Sequence, residues 1–287
     1  MQGTYLITGG EGFNGRNIKQ YLQKNNCNAL TLDIDGKPDY MISVIDFHSL
    51  MDIDEEFDGI FHLAATTSPP HFEDDPLGGF QVNPNGTLSV LEFAKRKKIR
   101  RVVLASSSAT YGNSESISRE EIIPQIYSSL YPITKIVDKY LARYYSVRKE
   151  VECISLRYFN TYGIGENSKA QHASVVWKFI TDLQNGKIPV IFGNGKQSGD
   201  FIYVEDTARV SVLAMERGKP GESYNIGTET TTNFNYICRM VAEEMHSSVQ
   251  ADHIPNPLKN YQYFTHADNA KVRNQSATKH YKYLNFV

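Results

Sequence analysis

The sequence is short of cysteine, of long apolar runs and of net charge. Its three cysteines, Cys27, Cys153 and Cys238, stand far apart among 287 residues. They predict neither a disulfide framework nor a cysteine metal site, and we expect no bound metal. No window approaches 18 consecutive apolar residues, so we expect no membrane-spanning helix and no membrane partner.

Charges of the two signs nearly balance. The 30 Lys and Arg residues face 32 Asp and Glu residues, which gives a formal net charge of -2. A protein that binds nucleic acid through electrostatics needs a strong positive excess, so this class is not expected. The N-terminus lacks the basic stretch and apolar core of a signal peptide. Together with the few cysteines, this predicts a cytoplasmic enzyme or binding protein.

Short apolar runs alternate with longer helical patterns in the first half of the chain. The runs Thr4–Thr8, Ala29–Asp33, Gly59–Leu63, Arg101–Ser106 and Val151–Arg157 are typical of buried strands. Helical patterns cover Phe13–Lys24, Pro84–Lys98 and Tyr131–Lys149. Alternation without hairpin turns predicts an α/β fold, a doubly wound parallel sheet of the Rossmann type. The second half is less regular, with helices predicted at Ala173–Asn185, Val204–Arg217 and Asn233–Met245, and a strand at Phe201–Tyr203.

A glycine-rich turn connects the first strand to the first helix. Gly9, Gly12 and Gly15 have the spacing G-x-x-G-x-x-G, and Phe13 and Asn14 begin the helix. Glycine permits a tight turn and a close approach to a pyrophosphate, and the helix N-terminus offers N–H donors to it. Because a strand precedes this motif and a helix follows it, we predict a dinucleotide site.

Two aspartates extend this prediction. Asp33 ends the second strand, about 20 residues after the glycines, where a carboxylate accepts hydrogen bonds from the adenosine ribose. A carboxylate there repels the 2′-phosphate of NADP, so NAD is the expected cofactor; the alternative for Asp33 is a turn residue at the strand end. Asp46 either caps the next helix or meets the adenine amino group.

A tyrosine and a lysine lie four residues apart on one predicted helix. In Tyr131-Pro-Ile-Thr-Lys135 this spacing places both side chains on the same face. A nearby ammonium favours the phenolate, so Tyr131 can act as a general base when a hydroxyl is oxidised. The serine-rich turn Ser106–Gly112 follows a strand, at the sheet edge where open parallel sheets bind ligands.

These motifs, together with Arg157–Gly163, Asp200–Asp206 and Tyr224–Thr228, run in order over most of the chain. The sequence resembles the extended short-chain dehydrogenases/reductases, in the group of nucleotide-sugar epimerases and dehydratases. The resemblance implies that Tyr131 is the acid/base, that Ser107 is the catalytic serine and that Lys135 holds the nicotinamide ribose. It also implies the remaining cofactor residues, which are Leu63, Ala64, Asn83 and Tyr158. The implied substrate side comprises Thr67, Ser108, Asn160, His172 and Gln197.

Later segments narrow the resemblance. Lys169–Ser174 and Tyr261–Asp268 are similar to ADP-L-glycero-D-manno-heptose 6-epimerase, with UDP-sugar 4-epimerases as the other close group. In the heptose 6-epimerases, a lysine at the place of Lys169 serves as a second acid/base. The alternative interpretation is that Lys169 is an exposed loop lysine. Two arginines that suit a diphosphate are replaced by Gly199 and Asn260, which puts the usual diphosphate contact in doubt.

The expected organisation has two parts. Residues 1–161, with 201–227 returning to them, form the NAD-binding domain, and residues 162–200 and 228–287 form the substrate-binding domain. The expected function is NAD-dependent epimerisation of a nucleotide-activated sugar, by transient oxidation, in a homodimer. A net dehydrogenase or reductase acting on a sugar or small alcohol is the alternative, and a dinucleotide-sensing protein is a third hypothesis.

Overall fold

The computed structural model describes residues 2–67, 72, 74–122, 129–257 and 261–276. The strands are β1 (Thr4–Thr8), β2 (Asn28–Asp33), β3 (Tyr40–Met41), β4 (Gly59–His62), β5 (Arg101–Ser107), β6 (Glu152–Tyr158), β7 (Asn160–Tyr162), β8 (Val190–Phe192), β9 (Ser198–Tyr203), β10 (Ser223–Ile226), β11 (Thr231–Asn233) and β12 (Asp252–Ile254). The α-helices are α1 (Phe13–Lys24), α2 (Phe47–Met51), α3 (Pro76–Phe80), α4 (Gly86–Arg96), α5 (Leu130–Val147), α6 (Val175–Gln184), α7 (Val204–Arg217), α8 (Phe234–Glu244) and α9 (Ala270–Ser276).

The central sheet is parallel and doubly wound. In the part of the chain that the structure describes, it has seven strands in the order β10-β6-β5-β4-β1-β2-β3. Every pair in it is parallel. The chain runs outward from β1 in one direction and from β4 in the other, so the topological switch point lies between these two strands. The predicted fold class is confirmed.

The sheet is buried on both faces because successive side chains point to opposite sides. Ile7 and Phe61 pack with α1 and α7 in one cluster of buried side chains. Leu6 and Ile60, one residue earlier on the same strands, pack with α4 and α5 in another. Two-sided burial explains why these strands are continuous apolar runs in the sequence.

A second group of elements packs around its own core. Strand β9 pairs with β7 and β11, and β8 pairs with β12. Their apolar side chains, with those of α6 and α8, form a third buried cluster. Asp200 on β9 ties these elements together. Its carboxylate accepts hydrogen bonds from Thr228, Glu229 and Ala267, and burial raises its pKa to about 6.

The helix prediction at Pro84–Lys98 needs correction. Helix α3 begins earlier, with Asp75 accepting a hydrogen bond from the Gly78 amide and Pro76 in the first turn. A π-helical turn, Gln81–Asn85, then leads into α4. Because Pro84 interrupts the regular hydrogen-bond ladder, the sequence pattern shows only the part of this helix that follows it. None of the described helices combines the length and apolar character that a membrane span requires.

Candidate active site

The glycine turn lies at the switch point of the sheet. Gly9 has φ +68°, and a Cβ placed on it would come 2.6 Å from the Ala64 amide nitrogen, in the loop after β4. A Cβ on Gly15 would come 2.3 Å from the Gly9 carbonyl oxygen. Both positions therefore need glycine, one for its backbone conformation and both for close packing. The two loops lie against each other where a doubly wound sheet binds its ligand.

The start of α1 fits a dinucleotide. Gly12 is the N-cap and gives the helix no side-chain cap, so the first amides are left for a ligand. The Asn14 side-chain oxygen is buried and has no hydrogen-bond partner among the described residues. Buried polar atoms normally have a partner, and a ribose hydroxyl would supply the donor that this oxygen lacks. Gly9, Gly12, Phe13, Asn14 and Gly15 together form a cradle suited to NAD.

Asp33 lies beside this cradle at the end of β2. One carboxylate oxygen accepts a hydrogen bond from the Glu11 amide at 2.9 Å, and the other from the Ile34 amide at 2.8 Å. The contact with Glu11 holds the carboxylate against the glycine turn. Asp46 caps α2, where it accepts hydrogen bonds from the Ser49 amide and hydroxyl. The capping alternative for Asp46 is therefore the one observed, and contact with adenine stays a prediction.

Tyr131 lies in the first turn of α5. Its ring is buried and packs tilted against Phe72, with 6.0 Å between ring centres. Among the residues that the structure describes, nothing hydrogen-bonds to its hydroxyl. Helix α5 packs against β5 and against the short 3₁₀ turn that follows β5. The helix that carries this phenol therefore contacts the serine turn.

Lys135 is buried on the same face of α5. Its ammonium donates to Asp138 Oδ2 at 3.1 Å, and both side chains are only 5% exposed. Breaking a buried pair is costly, so Asp138 is expected to hold the Lys135 side chain in this position. The other Asp138 oxygen is buried without a partner among the described residues. Sequence reasoning missed Asp138; the signal was an acid at i+3 from the lysine.

The serine turn presents hydroxyls at the carboxyl end of β5. Ser107 is half-buried, and its Oγ accepts a hydrogen bond from the Ala109 amide at 3.1 Å, which leaves the hydroxyl proton to donate. Ser108 is buried in the 3₁₀ turn. The turn begins at Ser107 because its side chain caps it.

Asn83 connects the loop after β4 to α5. Its oxygen accepts from the Thr66 amide, and its nitrogen donates to the Thr66 carbonyl and to Thr134 Oγ1. Thr134 in turn donates to the Tyr131 carbonyl. Asn83 is fully buried and both its amide protons are used. It therefore positions the loop after β4 and the helix α5. Asn83 itself lies in the π-helical turn, which is a rare local geometry.

Lys169 lies at the cofactor cradle. Its ammonium stands 4.2 Å from the centre of the Phe13 ring and donates to Glu166 Oε1 and to the Thr161 carbonyl, each at 3.0 Å. Burial lowers its pKa, against the opposing effect of Glu166. Glu166 is fully buried and also accepts from the Ser174 amide and hydroxyl at the start of α6. Sequence reasoning singled out Lys169 but missed Glu166.

The chain matches a known protein family over most of its length. A family model described as the NAD dependent epimerase/dehydratase family matches residues 5–227. The chain belongs to this family. The resemblance seen in the sequence is confirmed, and so is NAD as the cofactor of this enzyme.

Individual family members are similar over most of their length. A protein of Methanocaldococcus jannaschii, provisionally named as a UDP-glucose 4-epimerase, is 30% identical over 255 residues, 84% of this chain and 82% of the relative. A UDP-N-acetyl-alpha-D-glucosaminuronate decarboxylase of Bacillus cytotoxicus is 28% identical over 274 residues, 89% of this chain and 84% of the relative. The crystal structure of the Thermotoga maritima UDP-glucose 4-epimerase with UDP-glucose has a TM-score of 0.89, at 26% identity, and the match covers 96% of this chain and 92% of that one.

The remaining predicted cofactor residues of this epimerase/dehydratase family member lie close to the sheet. Leu63 follows β4, and its amide donates to the Thr8 carbonyl at 3.0 Å. Tyr158 ends β6 opposite Ser107. Its ring is buried, its hydroxyl pairs with Ser211 on α7, and burial raises its pKa to about 12. A phenol in this setting stays neutral and packs the base of the site.

The predicted substrate residues are more dispersed. Thr67 is exposed, as is the His172 side chain at the end of a 3₁₀ segment. Asn160 on β7 is half-buried and donates to the Asp200 carbonyl and to Thr265 Oγ1. Gln197 is buried and donates to the Phe192 carbonyl, which serves the loop between β8 and β9.

One of the two departures from the arginine pattern can be placed. A Cβ on Gly199 would lie 2.9 Å from the side-chain nitrogen Nδ2 of Asn160 and 2.9 Å from a carbon of the Phe201 ring. The close packing here therefore has no room for an arginine. Asn260 lies outside the described residues. No metal-binding group of histidine, cysteine or acidic side chains occurs in the described ranges.

His62, at the end of β4, is held by two threonines. Its Nδ1 lies 2.7 Å from Thr8 Oγ1 and its Nε2 lies 3.0 Å from Thr87 Oγ1. Burial, with a smaller contribution from Lys135, lowers its pKa to about 3. The neutral ring therefore connects β1, β4 and α4 beneath the cofactor loops.

This histidine is expected to make folding sensitive to acid. Its folded-state pKa lies below the unfolded value of about 6.5, so its contribution is complete above that pH and is lost as pH falls toward 3. Between pH 7 and pH 5, the free energy of unfolding should fall by about 2 kcal/mol more in the natural protein than in His62→Gln. Urea unfolding at several pH values measures this. His48→Gln, at an exposed position, is the control; equal pH slopes for the natural protein and His62→Gln would contradict a neutral His62.

Proposed function

We propose that this enzyme interconverts two epimers of a nucleotide-activated sugar by transient oxidation. The observation that supports this proposal is the position of α5, which carries Tyr131 and Lys135 and contacts the serine turn that follows β5. The glycine cradle lies at the same edge. An alcohol bound between them would meet an acid/base and a cofactor together.

The residues divide the work as follows. NAD, when bound, would supply the group that accepts a hydride from a sugar carbon and gives it back. Tyr131 takes the proton of the hydroxyl on that carbon, and Lys135 would hold the nicotinamide ribose. Ser107 donates a hydrogen bond from its free hydroxyl to the same substrate oxygen. Asp138 holds the Lys135 ammonium in place.

The return of hydride to the opposite face requires that the keto sugar rotates before it is reduced. The ketone oxygen gains a proton in that step, and Lys169, whose pKa is lowered by burial, is a second group besides Tyr131 that can donate it. Its contacts with Glu166 and Phe13 place it at the cofactor cradle. We propose that residues 162–200 and 228–287 bind the sugar nucleotide against residues 1–161 and 201–227.

A UDP-sugar and inversion at C4 are the first candidates, because the Methanocaldococcus and Thermotoga relatives carry those names. The Bacillus relative carries the name of a different reaction, the decarboxylation of a nucleotide sugar. A net dehydrogenase of a sugar or small alcohol is the second candidate, favoured by the tight packing at Gly199, which excludes an arginine for a diphosphate.

Incubation of the purified protein with UDP-, GDP-, ADP-, CDP- and dTDP-sugars, without added NAD, separates these candidates. NMR of each mixture is expected to show a new sugar epimer with no net NADH. Stoichiometric NADH, with oxidised sugar, would replace the epimerase by the dehydrogenase. No conversion of any sugar by protein that retains its cofactor would contradict the proposal.

We further propose that the protein is a homodimer in a reducing cytosol. Exposed apolar side chains on two neighbouring helices support a dimer; they are Leu88 on α4 and Tyr140, Tyr144 and Val147 on α5. The three cysteines are buried and none of them is in a disulfide, which fits a reducing compartment. Sedimentation analysis of the natural protein tests the dimer, and a monomer at micromolar concentration would contradict it.

A further inference from the structure

Glu11 is an acidic residue inside the glycine turn. Its amide donates to Asp33 Oδ2 at 2.9 Å, so its backbone lies directly beside the carboxylate expected to bind the adenosine ribose. Its side chain extends past Asp33 to the loop after β2, where a Cβ placed on Gly36 would come 2.9 Å from Glu11 Cγ and 3.1 Å from Oε2. Its other carboxylate oxygen lies 3.5 Å from the Thr31 hydroxyl. Glu11 therefore covers the outer side of Asp33.

Arg16 is the cation beside it. Its guanidinium lies 3.4 Å from Glu11 Oε2, and its side chain is 48% exposed while that of Glu11 is 18% exposed. A guanidinium on the first turns of α1, close to the ribose position, is a ready ligand for a phosphate. The ion pair directs this guanidinium to Glu11 instead.

We propose that Glu11 determines the choice of NAD over NADP, together with Asp33, by pairing with Arg16. A 2′-phosphate meets repulsion from Asp33, and the arginine that would bind it is already paired with Glu11. This inference rests on the dinucleotide site, and not on which sugar the enzyme converts.

The test compares two ligands that differ only in the phosphate. The affinities of ADP-ribose and 2′-phospho-ADP-ribose are measured by the displacement of NADH from the protein, followed by NADH fluorescence. In Glu11→Gln, which keeps the size of the side chain, affinity for the 2′-phosphate ligand is expected to rise about 3- to 10-fold. Affinity for ADP-ribose should stay within about twofold of the natural value, because the neutral ribose does not respond to this charge.

A second substitution identifies the arginine as the source of the gain. In Glu11→Gln with Arg16→Gln, affinity for the 2′-phosphate ligand should return toward the natural value, and the gain in the single variant should shrink as salt is raised. Glu244→Gln, at an exposed position on α8, controls for net charge and should change neither affinity. A gain that survives the loss of Arg16, or an equal change in both affinities, would overturn the proposal.

Failure of the dinucleotide site itself has a separate signature. If ADP-ribose does not displace NADH from the natural protein, the placement of the ribose beside Asp33 is wrong and the role of Glu11 is overturned with it. Failure of the proposed sugar chemistry would leave these displacement curves unchanged. The two claims are therefore distinguished by one set of variants.

Discussion

Tyr131→Phe is expected to lower kcat for sugar epimerisation by about 10²- to 10⁴-fold, the usual contribution of a positioned acid/base. The substitution removes one oxygen, to which no described residue hydrogen-bonds, and it leaves the buried ring against Phe72. The fold and the bound cofactor should therefore be retained. Turnover with the sugar identified by NMR measures the first effect, and thermal unfolding with cofactor content measures the second.

Tyr140→Phe is the matched control. This tyrosine lies on the same helix but is exposed, so the same loss of a hydroxyl should leave kcat unchanged. If Tyr131→Phe retained most of its turnover, the acid/base would be another group, and the proposed role of Tyr131 in epimerisation would be contradicted. If the protein were a dinucleotide sensor without turnover, Tyr131→Phe would keep its response to the ligand.

Gly9→Ala is expected to destabilise the protein by more than about 2 kcal/mol and to lower its NAD content at least about tenfold. A non-glycine residue at φ +68° costs about 1 to 2 kcal/mol. The added Cβ would also lie 2.6 Å from the Ala64 amide nitrogen, so the loop after β4 must move. Both loops that border the cofactor are disturbed together. Urea unfolding and absorbance of released NAD measure the two effects.

Gly186→Ala separates strain from packing. Gly186 follows α6 and has φ +69°, almost the same as Gly9, but a Cβ there meets no atom within 4 Å. Its replacement should cost about 1 kcal/mol of stability and leave the NAD content unchanged. If the two variants behaved alike, the close approach of the two loops would not explain the need for glycine at position 9.

The strands of the central sheet could be predicted because burial on both faces leaves continuous apolar runs. Thr4–Thr8 was predicted with its observed bounds. The other runs predicted for this sheet differ from the observed strands by one residue at one end, or at both ends for Val151–Arg157. Short strands such as β8 and β12 were missed. They have three residues each, β12 is exposed throughout and β8 has one buried residue, so neither period nor composition distinguishes them from loops.

The site could be predicted where a motif carries its own chemistry. The glycine spacing and the Tyr131–Lys135 spacing are of this kind. The supporting contacts could not be predicted, because they depend on distant segments meeting. Asn83 forms hydrogen bonds with Thr66 and Thr134. Glu166 accepts hydrogen bonds from Lys169 and Ser174. No local sequence pattern indicates these partners.

Asp46 shows what the local sequence around a residue can predict and what it cannot. Its sequence context allowed a helix cap or a contact with adenine, and the structure shows the cap. Capping depends only on residues three positions apart, so the local pattern was sufficient for it. A contact with adenine would depend on how the whole cradle holds its ligand.

The most direct test of the account follows the hydrogen on the reacting carbon. A nucleotide sugar deuterated at that carbon is converted by the natural protein in ordinary water, and the epimer is examined by NMR and mass spectrometry. We predict that the product keeps its deuterium at the inverted carbon and that no NADH accumulates, because hydride is removed and returned within one site. Loss of deuterium to solvent would mean that the carbon is inverted by proton removal, and would contradict transient oxidation as the reaction of this protein.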